Sequence, residues 1–374
     1  MRINPDRLTA DSVQAISAQD VPAMVAGNQL LCSAMGAAGV DGVTLCVTQL
    51  LRKHGPVPLL DLASLPTEAM CAAVGAVGGF APLIELPPFG DEFTLAVRAL
   101  EERVGRRLDA IVSLNAAGPN ALFPIAAAAA LGLPLVDCDG MGRILPLIHQ
   151  TTYALGGLPV TPLAGASQSG DVVVLDTRSE RADRLLRGVV DASGGFMICA
   201  LYPATAGELR NAAITGSTSR ILRAGRLLAT ASGRSSTLAG LAHTMGARLL
   251  ASGRISELCH SNPSVGTRHY PSMPTSIVVD EYGRAGRTIR LEAQNELLLA
   301  LIDGAVAAAV PDILCLFDRQ KLRLVGLEGV IVGDHVDVLV IPAAPMWHSS
   351  RGLAVAGPRA FGFPVCHPRE GGRR

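Results

Sequence analysis

Residues 109–143 read DAIVSLNAAGPNALFPIAAAAALGLPLVDCDGMGR, and this stretch decides the fold. Asp109–Leu114 is a short apolar run of strand length. Ala121–Leu131 is a nearly unbroken run of alanine and other helix formers. Leu133–Val136 is a second short apolar run. Strand, helix and strand in this succession make a βαβ unit, whose two strands run parallel. Residues 110–136 carry no charge, as expected of strands buried on both faces. They are not a membrane span. Asn115, Pro119, Asn120, Pro124, Gly132 and Pro134 interrupt them, and a spanning helix needs about 20 continuous apolar residues.

The alternation continues outward on both sides. Upstream, Asp20–Leu31 and the stretch ending near His54 read as helices separated by the loop Ser33–Gly39. Val57–Leu60 and Cys71–Val77 read as strands, and Glu92–Gly105 as an amphipathic helix. Downstream, Val172–Leu175 and Phe196–Tyr202 read as strands, Arg181–Ala192 and Ser219–Ala229 as helices. Such a succession predicts an α/β domain with a three-layer, mostly parallel sheet over residues 1–245. The style then changes. Val278–Asp280, Thr288–Ala293, Leu322–Leu327, Val330–Val332 and Val336–Ile341 are short runs between turn signals. They predict a β-rich, barrel-like domain over 246–345. Ser261–Pro274 reads as a loop. Trp347 and Phe361 need a surface to bury against, so the tail, 346–374, is expected to pack back on the first domain.

Composition excludes several functions. Lys+Arg and Asp+Glu are both 32, and a net charge of zero does not suit a nucleic-acid-binding or polybasic membrane protein. The eight cysteines are scattered without CxxC spacing, and several stand in apolar runs where a thiol is a small hydrophobe. With no signal peptide at the polar N-terminus, a cytoplasmic protein is expected. Gly36-Ala37-Ala38-Gly39 has neither the P-loop lysine nor a full GxGxxG, so no nucleotide cofactor is expected. The eight histidines show no HxH or HExxH spacing.

The strongest candidate site is Asp137-Cys138-Asp139-Gly140-Met141-Gly142-Arg143. It follows a parallel strand, where open sheets present ligands. Asp137 and Asp139 stand at i and i+2, so they face the same way if the chain is extended. Either is suited to act as a base or to bind a cation, and Arg143 to hold a substrate carboxylate. Equally, Asp137 caps a helix or pairs with Arg143, and the glycines only make the turn. Asn115 and Asn120 lie on the neighbouring loop, where Asn120 either caps the next helix or binds substrate. Ser217 and Ser219 open a later helix, either as an anion site or as ordinary caps. His149 follows Asp137 closely enough to reach the same cleft. Asp137, Asp139 and His149 are therefore the ligands to consider should a divalent metal be bound.

The heptapeptide 137–143 resembles the Asp-Ala-Asp-Gly-Met-Gly-Arg signature of the S-methyl thiohydantoin desulfurase family, whose members are associated with hydantoinases. Gly132-Leu133-Pro134, Thr151-Thr152-Tyr153, Gln294-Asn295-Glu296, Pro311-Asp312-Ile313 and the segment Gly357–Gly362 resemble further family motifs in the same order. The resemblance spans roughly residues 20 to 365. It implies an α/β domain joined to a β-barrel and a water-using reaction on a hydantoin-like ring that releases sulfur from C2. Such chemistry needs activated water and a group that stabilises the anion formed on the ring. The resemblance also implies a role for Glu85 as an acid and for Thr152 in the substrate site. The chain departs from the family pattern where Asn115 replaces a glutamate and Pro146-Leu147 stands where Pro-Glu is usual. The reading is thus an enzyme that cleaves a C–S or C–N bond of a small cyclic (thio)amide. The alternative is a catalytically degenerate, ligand-binding or partner subunit of a hydantoinase-type system. A second copy of the chain and a hydantoinase-like protein are the partners left open.

Overall fold

A computed structural model of the chain describes residues 14–34, 40–260, 274–283 and 286–371. Most of the loop 33–39 and nearly all of 261–274 lie outside the described residues. By its contacts the chain divides into two compact units: residues 1–25 with 39–222, and residues 26–38 with 223–374.

The first unit is built on nine strands: β1 (Gln14–Ile16), β2 (Val57–Leu60), β3 (Met70–Gly78), β4 (Ala110–Ser113), β5 (Leu135–Asp139), β6 (Leu163–Ala166), β7 (Val172–Leu175), β8 (Phe196–Thr205) and β9 (Ile214–Thr215). Their order is β1-β2-β5-β4-β3-β8-β6-β7, with β9 on β5. The four central strands β2, β5, β4 and β3 are mutually parallel, and antiparallel strands flank them. The βαβ unit read from residues 109–136 is present. Its helix, Phe123–Leu131, packs on β2, β3, β4 and β5. Alanine explains that fit: Ala126, Ala127 and Ala128 are fully buried, and their small side chains bring the helix axis close to the sheet. Gly132 ends the helix in the left-handed conformation, where glycine has no Cβ penalty. Strand β3 is apolar on both faces from Cys71 to Val74, as a central strand must be. The edge strand β7 instead alternates between exposed and half-buried residues.

The second unit holds an eight-stranded antiparallel sheet: β10 (Arg248–Cys259), β11 (Ser276–Glu281), β12 (Thr288–Ala293), β13 (Leu297–Ile302), β14 (Ala305–Ala309), β15 (Ile313–Asp318), β16 (Arg323–Val325) and β17 (His335–Ile341). The order is β14-β13-β12-β11-β10-β17-β15-β16, a β-rich module as expected, described here as a sheet with β14 and β16 at its ends. Its core joins Ile255, Ile277, Val279, Leu291, Leu314 and Val338 from successive strands. The segment 26–34 belongs to this unit. The Glu296 carboxylate accepts from the Ser33 N–H (2.6 Å), the Ser33 hydroxyl (2.7 Å), the Ala34 N–H (3.3 Å) and the Cys32 thiol (3.4 Å).

Two expectations are corrected. The tail does not group with the first unit: Trp347, His348 and His367 belong to the second, where both histidines approach Asp312 and the Gln294 amide donates to the Phe361 carbonyl. Val330–Val332 is not a strand. Asp334 accepts from the Ile331 N–H and closes a turn, leaving Ile331 and Val332 exposed. All eight cysteines are free and six are buried. Burial pushes the thiols of Cys71, Cys199 and Cys315 up to about 12, so they behave as apolar side chains. No helix among the described residues is long and apolar enough to cross a membrane.

Candidate active site

Strand β5 ends on Asp139, at the carboxyl edge of the parallel strands, and short loops from three other places meet it there. Oδ2 of Asp139 accepts three backbone N–H groups: Ala116 at 3.0 Å, Met141 at 3.2 Å and Gly142 at 2.6 Å. Oδ1 lies 2.6 Å from the Ser217 hydroxyl. The residue is 0% exposed. The sequence makes this cradle with two glycines. Gly142 takes a φ of +68° so that its N–H turns back to the carboxyl. A Cβ on Gly140 would stand 2.5 Å from the Tyr153 ring, so only glycine lets Tyr153 reach the Ser113 carbonyl (2.9 Å).

The hydrogen count at Asp139 favours a neutral carboxyl. Ser217 Oγ is also 2.8 Å from the Ile214 carbonyl, and its one proton serves both oxygens only as a bifurcated bond. With Asp139 neutral, a proton on Oδ1 would go to Ser217 Oγ and the serine proton to Ile214. Burial agrees, pushing the Asp139 carboxyl above its ordinary value against the pull of the Ser217 hydroxyl and the three amides. Asp139 is thus a fully buried carboxyl that ties the loops together.

Asp137 sits differently. It is half-buried, and its Oδ1 accepts from the N–H groups of Thr218 (2.8 Å) and Ser219 (3.1 Å), the first turn of the helix Ser217–Ala229. At the helix start, the Thr218 and Ser219 N–H groups are taken by the chain's own Asp137 carboxyl. No hydrogen bond among the described residues engages Asp137 Oδ2. One oxygen is anchored and the other is left to a ligand or water.

The remaining predicted residues divide into two groups. Asn120 pairs twice with the backbone of Ala76, accepting its N–H (2.6 Å) and donating to its carbonyl (3.2 Å). It stands in for a strand neighbour beyond the end of β4. Asn115 accepts from the Ala117 N–H at 3.1 Å and shapes the loop that presents Ala116 to Asp139. The Thr152 hydroxyl donates to the Gly140 carbonyl, so it too sits on the aspartate loop. Arg143 is 1% exposed and its Nε donates to the Ile144 carbonyl. Glu85 ends the helix Phe80–Glu85 and is exposed, with no hydrogen bond among the described residues to either aspartate. His149 is half-buried, and its Nδ1 is buried without a partner. It does not form a ligand group with Asp137 and Asp139. Among the described residues, one set of three ligand-type side chains comes together, and it lies in the second unit: Asp312, His348 and His367.

Sequence reasoning gave Tyr153 and Tyr202 no role at the site. Tyr202 takes a φ of 54°, accepts from Thr151 (2.9 Å) and donates to the Ile148 carbonyl (2.7 Å), and it packs 5.3 Å from Tyr153. The chain has only four tyrosines, and two of them in otherwise apolar segments were the available signal.

Comparison with known proteins also divides the chain in two, but at residue 177 rather than at 222. The description S-Me-THD-like, N-terminal domain matches residues 19–177, and S-Me-THD-like, C-terminal domain matches residues 177–368. No curated protein sequence matches. Among solved structures, a crystal structure of a protein from Chromobacterium violaceum has the same fold, with a TM-score of 0.78 and 22% identity over 95% of this chain and 98% of that one.

Proposed function

Because the chain belongs to the S-methyl thiohydantoin desulfurase-like family, matched over both domains, we propose that it hydrolyses the C2–S bond of a small S-methyl thiohydantoin-like ring. In this reaction water oxygen bonds to C2, the C–S bond breaks, the sulfur leaves as a thiol and no electrons are exchanged. The observation that carries the reading is Asp137. Two helix N–H groups hold one of its oxygens, and the other remains available to take a proton from water. Asp139 is a positioning residue: both of its oxygens are already engaged, by Ala116, Met141, Gly142 and Ser217. Asn115 and Asn120 hold loops rather than substrate. The departure from the family glutamate at Asn115 therefore falls on the frame, and the proton-accepting role rests on Asp137.

The test is mass-spectrometric, because the free cysteines would confuse a thiol dye. Purified protein is incubated with S-methyl thiohydantoins of differing C5 substituents. Exchange of the methylthio group for oxygen at C2 is expected, and it should be lost in Asp137→Asn with the fold retained. A folded wild-type protein that converts none of these rings, or an Asp137→Asn variant with full turnover, overturns the reading.

A further inference from the structure

Three segments of the second unit, distant in sequence, bring nitrogen and oxygen ligands to one point. Asp312 lies between β14 and β15. His348 ends the 3-10 turn Pro345–His348 after β17, and His367 precedes the last helical turn, Pro368–Gly371. Asp312 Oδ1 is 2.8 Å from His348 Nε2, and Asp312 Oδ2 is 3.4 Å from His367 Nε2. All three ligand atoms fall within 4.8 Å of one another. Two ligands each about 2.1 Å from one cation stand about 3.0–3.4 Å apart, so these spacings are close to those of a coordination sphere. The carboxylate is aimed by the Ala343 N–H, 2.9 Å from Oδ1, a contact of the kind that orients metal ligands. His367 is 1% exposed, and both imidazoles present Nε2 to the same carboxylate.

A cavity of about 230 Å³ opens beside the cluster, lined by Asp312, His367, Arg248, Arg369, Pro342 and Ala308 among others. We propose that Asp312, His348 and His367 bind a divalent transition-metal ion such as Zn²⁺, with water or an anion from this cavity completing the coordination. Two imidazoles and one carboxylate suit zinc, cobalt, nickel or iron rather than calcium or magnesium. Three protein ligands leave at least one position open, and Arg248 on the wall favours an anion there.

Arg369 gives the proposal a feature that can be tested. Its guanidinium Nη1 is 3.2 Å from His348 Nδ1, and its backbone N–H is 3.2 Å from His367 Nδ1. A neutral histidine that ligates through Nε2 carries its proton on Nδ1, where these donors now point. Loading must therefore displace the Arg369 side chain from His348 and turn the Arg369 backbone N–H away from His367, so metal binding competes with the docking of this residue. Isothermal titration with Zn²⁺, and visible absorption with Co²⁺, read this on the full chain. One ion per chain is expected. Arg369→Ala should bind more tightly than wild type, and Asp312→Asn and His367→Gln about tenfold or more weakly, with the Co²⁺ bands lost. Should either of these variants fail to fold, His348→Gln, nearer the surface, carries the same expectation. The proposal is overturned if neither wild type nor Arg369→Ala binds saturably. It is equally overturned if the folded ligand variants bind as wild type does, which would place the ion on the cysteines.

Discussion

If Asp139 is a neutral acid, replacing it with asparagine should leave the first unit nearly unharmed, whereas replacing it with alanine should not. In Asp139→Asn the amide carbonyl inherits the three N–H groups of Ala116, Met141 and Gly142, and the amide NH₂ takes over donation to Ser217. The hydrogen-bond pattern is conserved, so a loss of less than about 1 kcal/mol is expected. Asp139→Ala strands three buried N–H groups. At about 1–3 kcal/mol for each unsatisfied group, partly relieved by relaxation or an entering water, a loss of about 3–6 kcal/mol follows. Urea denaturation monitored by circular dichroism separates the two. The pH dependence adds a sign. A carboxyl raised in the folded state is protonated in both states below about 3.9, the ordinary aspartate value. As pH rises above that, the unfolded chain gives up the proton first, and wild type loses stability until the folded group ionises as well. Asparagine has no such dependence. The advantage of wild type over Asp139→Asn should therefore be largest in acid and shrink as pH rises. An Asp139→Asn variant as unstable as Asp139→Ala, or a wild-type advantage that grows with pH, would show an ionised Asp139 and refute the hydrogen count.

Other outcomes follow from the same geometry. Asn120→Ala removes both bonds to the Ala76 backbone and should cost about 1–3 kcal/mol by urea denaturation; no change would mean that water replaces the amide. Arg234→Ala leaves the fully buried Asp337 without the guanidinium that holds both its oxygens, at 2.6 and 2.8 Å, and should cost about 3–5 kcal/mol. Adding Asp337→Asn should restore part of that loss, and strict additivity of the two changes would argue against the pairing. Gly140→Ala drives a methyl group into the Tyr153 ring and should lower stability by about 1–3 kcal/mol, seen as a lower melting temperature.

The parallel core was legible because its signals are local. The runs Val57–Leu60 and Cys71–Val77 and the alanine helix announce themselves by composition and length alone. Strand β10 was not legible. Arg254 and Glu257 interrupt its apolar residues, and a bulge shifts its register between Ile255 and Glu257, so no regular alternation survives in the sequence. The helix Arg234–Met245 was missed for a related reason: its apolar residues form no strong stripe, and serine and threonine fill its first turn. At the site, the positions of Asp137 and Asp139 were readable, but their different duties were not. Which carboxyl is anchored and which is enclosed depends on a helix that starts some eighty residues later. The Asp312 cluster was invisible for the same reason, since its two histidines have no ligand spacing in the chain.

The Glu296–Ser33 clasp sets an order on biosynthesis. Ser33 leaves the ribosome 263 residues ahead of Glu296, which at about 5–20 residues per second is roughly 13–50 seconds. For that interval the nascent chain holds a short segment, 26–34, whose partners do not yet exist, flanked by sequence already able to form the parallel sheet. The second unit is therefore not a contiguous coding block. A gene fragment beginning at residue 223 encodes every strand of its sheet, yet delivers Glu296 without the three backbone and hydroxyl donors that neutralise its burial. Such a fragment should require the missing peptide in trans to fold. Any shuffling of this domain between proteins has to carry both ends of the chain with it.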